Sequence, residues 1–129
     1  MTVRPWEVRR GMVLVGEAAI HLLVLGWTGP VPSSACFAPY RFRGRCPRTG
    51  RPGEVVVPQG GVAEVLELPE STLEFVCRQD GDLLLHDSSS GEVACVPDDQ
   101  AGVDVGELDP GTAARVLVHE RKPVWVVGR

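Results

Sequence analysis

LEFVCRQDGDLLLHDSSSGEVACVP, residues 73–97, divides into three short apolar runs separated by two polar turns. Leu73 to Arg78 and Leu83 to His86 flank a Gln-Asp-Gly-Asp turn. A Ser-Ser-Ser-Gly turn, Ser88 to Gly91, then leads into Glu92 to Val96. Gly81 and Gly91 supply the permissive backbone that tight hairpin turns require. The stretch predicts three consecutive antiparallel strands, with Phe75 in the core.

Working outward, the same punctuation continues. Upstream come Val8-Arg9-Arg10-Gly11-Met12 and Val13-Leu14-Val15-Gly16-Glu17, then an apolar strand from Ala19 to Leu25 and a Gly/Pro loop from Gly29 to Ser34. A strand with alternating basic residues is predicted from Cys36 to Arg45, followed by Arg48-Thr49-Gly50. Downstream, Leu108-Asp109-Pro110-Gly111 precedes a last hairpin between Ala114 and Val124, with Trp125 as a further core residue. Fifteen Gly and eleven Pro interrupt runs rich in Val and Leu, a pattern of short strands rather than helices. The best helical candidate is a short piece within Asp98 to Glu107. Leu68-Pro69-Glu70 reads as a join, because Pro fixes the backbone where one strand system ends. The chain is therefore expected to be all-β, with domains at 1–67 and 68–129.

Charge divides along similar lines. Residues 1–53 carry eight Arg against Glu7 and Glu17, a net of +6, whereas residues 54–129 carry five basic and fifteen acidic side chains, a net of −10. A basic half joined to an acidic half suggests one surface that attracts nucleic acid and another that resists unselective binding. The longest apolar run, Ala18 to Trp27, contains His21 and is far shorter than the roughly 20 residues of a membrane span. With no signal-peptide core after Arg4, a cytoplasmic protein with no membrane partner is expected.

Residue types that carry chemistry are scattered. Cys36, Cys46, Cys77 and Cys95 contain no closely spaced pair of the kind structural zinc sites use. Reduced thiols are expected, with Cys77 and Cys95 as small buried hydrophobes, and a Cys36–Cys46 bridge as an alternative for that pair. His21, His86 and His119 each stand singly in apolar strands, and no nucleophile motif accompanies them. Asp98-Asp99 reads as a solvated loop and Ser88 to Ser90 as turn residues. No metal, no cofactor and no enzymatic activity are expected.

In register, the 73–97 stretch resembles the "QYLYRDGD…FMDT…EQI.VP" opening of the second domain of bacterial elongation factor P. The resemblance runs over nearly the whole chain. Val8 to Glu17 is similar to the family's "FR.G…DGE", Arg48-Thr49-Gly50 to its "LRTG", and Leu108 to Val124 to the last hairpin of its second domain. It implies an SH3-like barrel of the KOW type followed by an OB-type barrel. The family's third domain has no counterpart before Arg129. The implied role is a translation factor that sits on the ribosome beside the peptidyl tRNA. There a lysine or arginine on a loop of the first domain reaches the CCA end and helps stalled peptide bonds form. Such a cation acts by positioning and charge, ordering a phosphate backbone without doing chemistry itself.

At the corresponding loop the chain departs from the family. Anchored on Phe37, the tip position falls on Ser33, with Pro32 and Ser34 as alternatives because the loop is longer. No Lys or Arg lies between Arg10 and Arg41. The resemblance implies ribosome and tRNA as RNA partners, with no DNA, and a monomer. Arg9, Arg10, Arg41, Arg43, Arg45, Arg48 and Arg51 are the candidate RNA contacts. Arg41, Arg43 and Arg45 alternate, which sets them on one face of a strand at steps of roughly 6.6 Å. With so few aromatics, the OB-type half is not expected to bind single strands by stacking. Because the tip cation is missing, a second reading stays open: a repurposed interaction module that binds a protein or peptide partner, without translation activity.

Overall fold

The computed structural model describes residues 1–30, 38–102 and 104–129, and no α-helix occurs among them. Strands alternate with three short 3-10 turns, at Pro5–Glu7, Glu17–Ala19 and Val105–Glu107. Contacts divide the chain into two units, Met1–Glu67 and Leu68–Arg129.

The first unit contains β1 (Thr2–Val3), β2 (Val13–Val15), β3 (His21–Thr28), β4 (Tyr40–Arg45), β5 (Pro52–Val57) and β6 (Ala63–Leu66). They form one antiparallel sheet in the order β1-β6-β2-β3-β4-β5, curled as an open SH3-like barrel. The two-residue period of a strand decides which side chains go inside. Leu14, Leu22, Val24, Phe42 and Val65 are buried, and Phe42 has no exposed surface. Gly44 is dictated by close approach: a Cβ there would lie 1.7 Å from the carbonyl oxygen of Leu23 on β3. The β3–β4 register shifts between Val24 and Gly26, beside this crossing.

β3 begins at His21 and not at Ala19. Ala18 and Ala19 adopt φ of 56° and 58° in the preceding turn, whose ends are tied by the Gly16 N–H donating to the Ile20 carbonyl at 2.6 Å.

The second unit contains β7 (Glu70–Gln79), β8 (Asp82–His86), β9 (Val93–Pro97), β10 (Ala113–His119) and β11 (Lys122–Gly128), in the order β11-β10-β7-β8-β9. It is the expected five-stranded OB-type barrel. Asp80 and Gly81, both at positive φ (52° and 80°), make the first hairpin turn. In the second turn the Asp87 carboxylate accepts from the Ser89 N–H at 2.9 Å and the Ser89 hydroxyl at 2.6 Å. These bonds hold its pKa below the ordinary carboxylate value, the Ser89 hydroxyl being the larger cause. Gly91, at φ 76°, closes the turn by donating to the Asp87 carbonyl at 2.7 Å.

Phe75, Leu83, Leu85, Val96, Val116 and Val126 fill this core. Trp125 is buried as expected. Its indole lies against Gly102, where an added Cβ would meet Nε1 at 3.3 Å.

Two expectations are corrected here. The 98–107 segment is not a helix apart from the 3-10 turn at Val105–Glu107. Part of it instead closes the barrel. Ala101 makes a parallel bridge to Val126, the Val126 N–H donates to the Gln100 carbonyl at 2.9 Å, and the Gly102 N–H donates to the Val126 carbonyl at 2.8 Å. The buried Gln100 side chain adds a bond from Nε2 to the Val124 carbonyl at 2.7 Å. Backbone pairing with β11 engages the Gln100 carbonyl and the Gly102 N–H, an acceptor and a donor that a helix would have needed. Second, Cys95 is exposed and Cys77 only half-buried. Both pair with Leu84, whose neighbours Leu83 and Leu85 take the inward positions.

Candidate nucleic-acid interface

β4 carries the centre of the candidate surface. Phe42 points inward, so Arg41 and Arg43 on either side point out, with their side chains 49% and 64% exposed. Across the β4–β5 ladder Arg43 pairs in register with Glu54, and both arginines converge on that carboxylate. Arg41 Nη1 lies 3.1 Å from Glu54 Oε1, and Arg43 Nε lies 3.5 Å from Oε2. An exposed pair of this kind contributes roughly 0–1 kcal/mol. Its main effect is to hold two guanidinium groups side by side, each with further N–H donors for a phosphate oxygen. Arg45 is half-buried at the end of β4, opposite Leu23.

The remaining arginines occupy turns. Arg48 and Arg51 belong to the β4–β5 turn, which is closed by the Gly50 N–H donating to the Cys46 carbonyl and the Cys46 N–H donating to the Arg51 carbonyl, each at 2.8 Å. Within this turn the Thr49 hydroxyl hydrogen-bonds the Cys46 sulfur and lowers the thiol pKa against the opposing effect of burial, with lesser help from the Thr49 and Arg48 backbone and the Arg48 charge. Arg9 has a structural task as well. Its Nη1 donates to the carbonyls of Trp6 at 2.8 Å and Val8 at 3.0 Å, bracing the Pro5–Glu7 turn, while Arg10 follows it on the surface.

Thus the structure brings Arg41 and Arg43 together through Glu54 and seats Arg48 and Arg51 in the adjoining turn. The counter-charge Glu54 was not singled out from the sequence. Its signal is long-range: thirteen positions separate Arg41 from Glu54, and only the hairpin register joins them.

The tip positions Pro32, Ser33 and Ser34, and Cys36 of the considered bridge, lie outside the described residues. The foot of that loop is described. Gly29 packs on the Tyr40 ring, where an added Cβ would lie 2.9 Å from a ring carbon, and Gln59 Nε2 donates to the Ala38 carbonyl at 3.0 Å. Tyr40 stacks on Phe42 with ring centroids 6.1 Å apart, and Trp27, 42% exposed as a residue, lies nearby on β3. Trp27 is a second surface feature that the sequence reading passed over. Among the described residues, no three His, Cys, Asp or Glu side chains gather as a metal site. No helix among them is long and apolar enough to cross a membrane.

Compared with known proteins, the chain matches no family model and no curated protein sequence. Solved structures do match. The translation initiation factor 5A of Methanococcus jannaschii superposes with a TM-score of 0.52 at 16% identity, over 98% of this chain and 94% of that one. That factor shares the all-β fold of this chain. An initiation factor eif-5a family protein from Naegleria fowleri is also similar, at 12% identity over 98% of this chain and 95% of that one, with a TM-score of 0.49. At these identities the likeness is one of fold, a two-barrel translation-factor architecture. It does not single out elongation factor P.

Proposed function

We propose that this chain is a non-catalytic translation factor of the elongation factor P and 5A kind. It binds ribosome and tRNA near the peptidyl-transferase centre and modulates peptide-bond formation with a loop that carries no cation. The observation that carries this reading is the order of the two β units, an open SH3-like sheet then an OB-type barrel, matched along 94% of the archaeal factor. The outward arginines of β4 support it, since paired guanidiniums suit a phosphate backbone. The acidic second unit makes poor contact with RNA and leaves the first unit as the RNA-facing one.

At the tip, a serine offers only a short neutral hydrogen bond. Such a bond contributes roughly 0.5–1.5 kcal/mol net, against about 1.5–3 kcal/mol for one to a charged group. Rescue of proline-repeat stalling by the unmodified protein is therefore expected to be weak, and Ser33→Lys is expected to raise it.

The deciding experiment is co-sedimentation with ribosomes across a salt series. The affinity should fall with a log-log slope of about −0.7 to −0.9 per phosphate contact. Replacing Arg41, Arg43 and Arg45 with Ala should flatten that slope. A salt-independent interaction, or one lost only when the acidic unit is mutated, would overturn this reading in favour of an interaction module.

A further inference from the structure

Between β5 on one side and β2 with β6 on the other, the first unit has a groove of about 790 Å3. Three large apolar side chains line it while remaining exposed: Ile20 at 60%, Val56 at 46% and Val62 at 55%. Its charge is opposite to that of the unit around it. Residues 1–67 hold eight Arg and five Glu, yet Glu17, Glu54 and Glu64 line the groove and no Arg does. Glu54 is engaged by Arg41 and Arg43, whereas Glu17 and Glu64 have no ion pair among the described residues. The groove borders the arginine face, since its Val56 and Glu54 lie across from Arg41 and Arg43, and the carboxylates of Glu17 and Glu64 give its other side a negative charge.

β5 is also an edge strand, with β4 its only sheet neighbour among the described residues. The side of β5 away from β4 therefore presents the backbone donors and acceptors that an added strand can pair with. In the second unit the chain's own residues 100–102 pair with one edge strand, β11.

We propose that this groove is a docking site for an extended segment of a protein partner, in which large apolar residues alternate with Lys or Arg. The segment adds to the free edge of β5. Its apolar side chains cover Ile20, Val56 and Val62, and its cations meet Glu17 and Glu64. Main-chain bonds supply affinity in such strand addition, and the alternating side chains supply specificity. The proposal does not depend on ribosome binding.

The test uses the full chain, labelled with 15N, and a blocked peptide of about eight residues alternating valine and lysine. Saturable shifts are expected at the amides of Ile20, Val55 and Val56. Glu17→Gln with Glu64→Gln should weaken binding about tenfold, and Val56→Thr, which keeps a β-branched residue on the strand, should weaken it further. A peptide with serine in place of valine, or glutamate in place of lysine, should not bind. Absence of shifts at millimolar peptide would overturn the proposal, as would equal binding of the serine peptide. Shifts confined to the acidic second unit, displacement of the peptide by tRNA, or protein-concentration-dependent shifts at the same amides without peptide would each overturn it too. The last result would make a second copy of the chain the occupant.

Discussion

In the second unit residues 100–102 pair with β11 and close the barrel, while in the first unit β5 faces β2 and β6 across an open groove. The two units are similar in size and both are built from antiparallel hairpins, so the difference is not one of strand content. It lies in how each sheet treats its edges. The second covers its seam with a buried glutamine and backbone bonds. The first leaves Ile20, Val56 and Val62 exposed beside an edge that is unpaired among the described residues. Exposed apolar residues along a free edge invite pairing, and acidic neighbours restrict which strand can add. The contrast is between one edge of each sheet, β5 and β11, since β9 at the other end of the second sheet is an edge strand too and leaves Val93 exposed.

The largest expected effect tests whether the open unit is nonetheless held by a core. Phe42→Ala should cost about 3–5 kcal/mol, measured by urea unfolding followed at the amides of Leu14 and Val24. A cost below about 1 kcal/mol would mean that Phe42 is not the centre of that core.

Next comes the seal of the second unit. Gln100→Ala leaves the Val124 carbonyl without its side-chain donor and should cost about 1–3 kcal/mol. Hydrogen exchange at the Val126 amide should quicken, and unchanged protection there would show that the seal does not depend on Gln100.

Glu54→Gln sharpens the comparison at the border between groove and arginine face. Stability should change by less than about 1 kcal/mol, because the ion pairs are exposed. RNA affinity at low salt should rise, since Arg41 and Arg43 lose a competing carboxylate. A fall in affinity would mean that Glu54 is needed to orient them.

The smallest effect belongs to Asp87. Its folded-state pKa lies below the ordinary value of 3.8, so its contribution to stability is present above pH 3.8 and is lost as pH falls through the lower folded value. Asp87→Ala should lower the urea midpoint slightly at neutral pH, and the difference should vanish in strong acid. A difference that persists there would show that packing, not the carboxylate, carries it.

Much of the second unit was legible because its signals are local. The turns at Asp80-Gly81 and Ser88 to Gly91 need particular residues at particular positions, and the predicted runs 73–78, 83–86 and 92–96 correspond to β7, β8 and β9. The phase of the side chains was harder to read. Leu83, Leu84 and Leu85 are identical in type, and a register shift between Phe75 and Cys77 resets the alternation on β7. Composition therefore could not reveal that Leu84, Cys77 and Cys95 share the less buried side.

In the first unit the alternation of Arg41, Phe42 and Arg43 was readable directly. Glu54 was not, because it joins those arginines only after β5 folds back on β4. Gln100 went unnoticed for a similar reason: nothing near it in sequence marks it as a buried donor to β11.

The burial of Trp125 against Gly102 has a spectroscopic consequence. Of the three tryptophans, Trp6 and Trp27 are 55% and 42% exposed, whereas Trp125 is 5% exposed. A polar quencher such as iodide should extinguish the first two selectively and leave a blue-shifted emission from the barrel seam. The protein thus carries an intrinsic optical gauge of whether residues 100–102 are seated on β11, readable without any label.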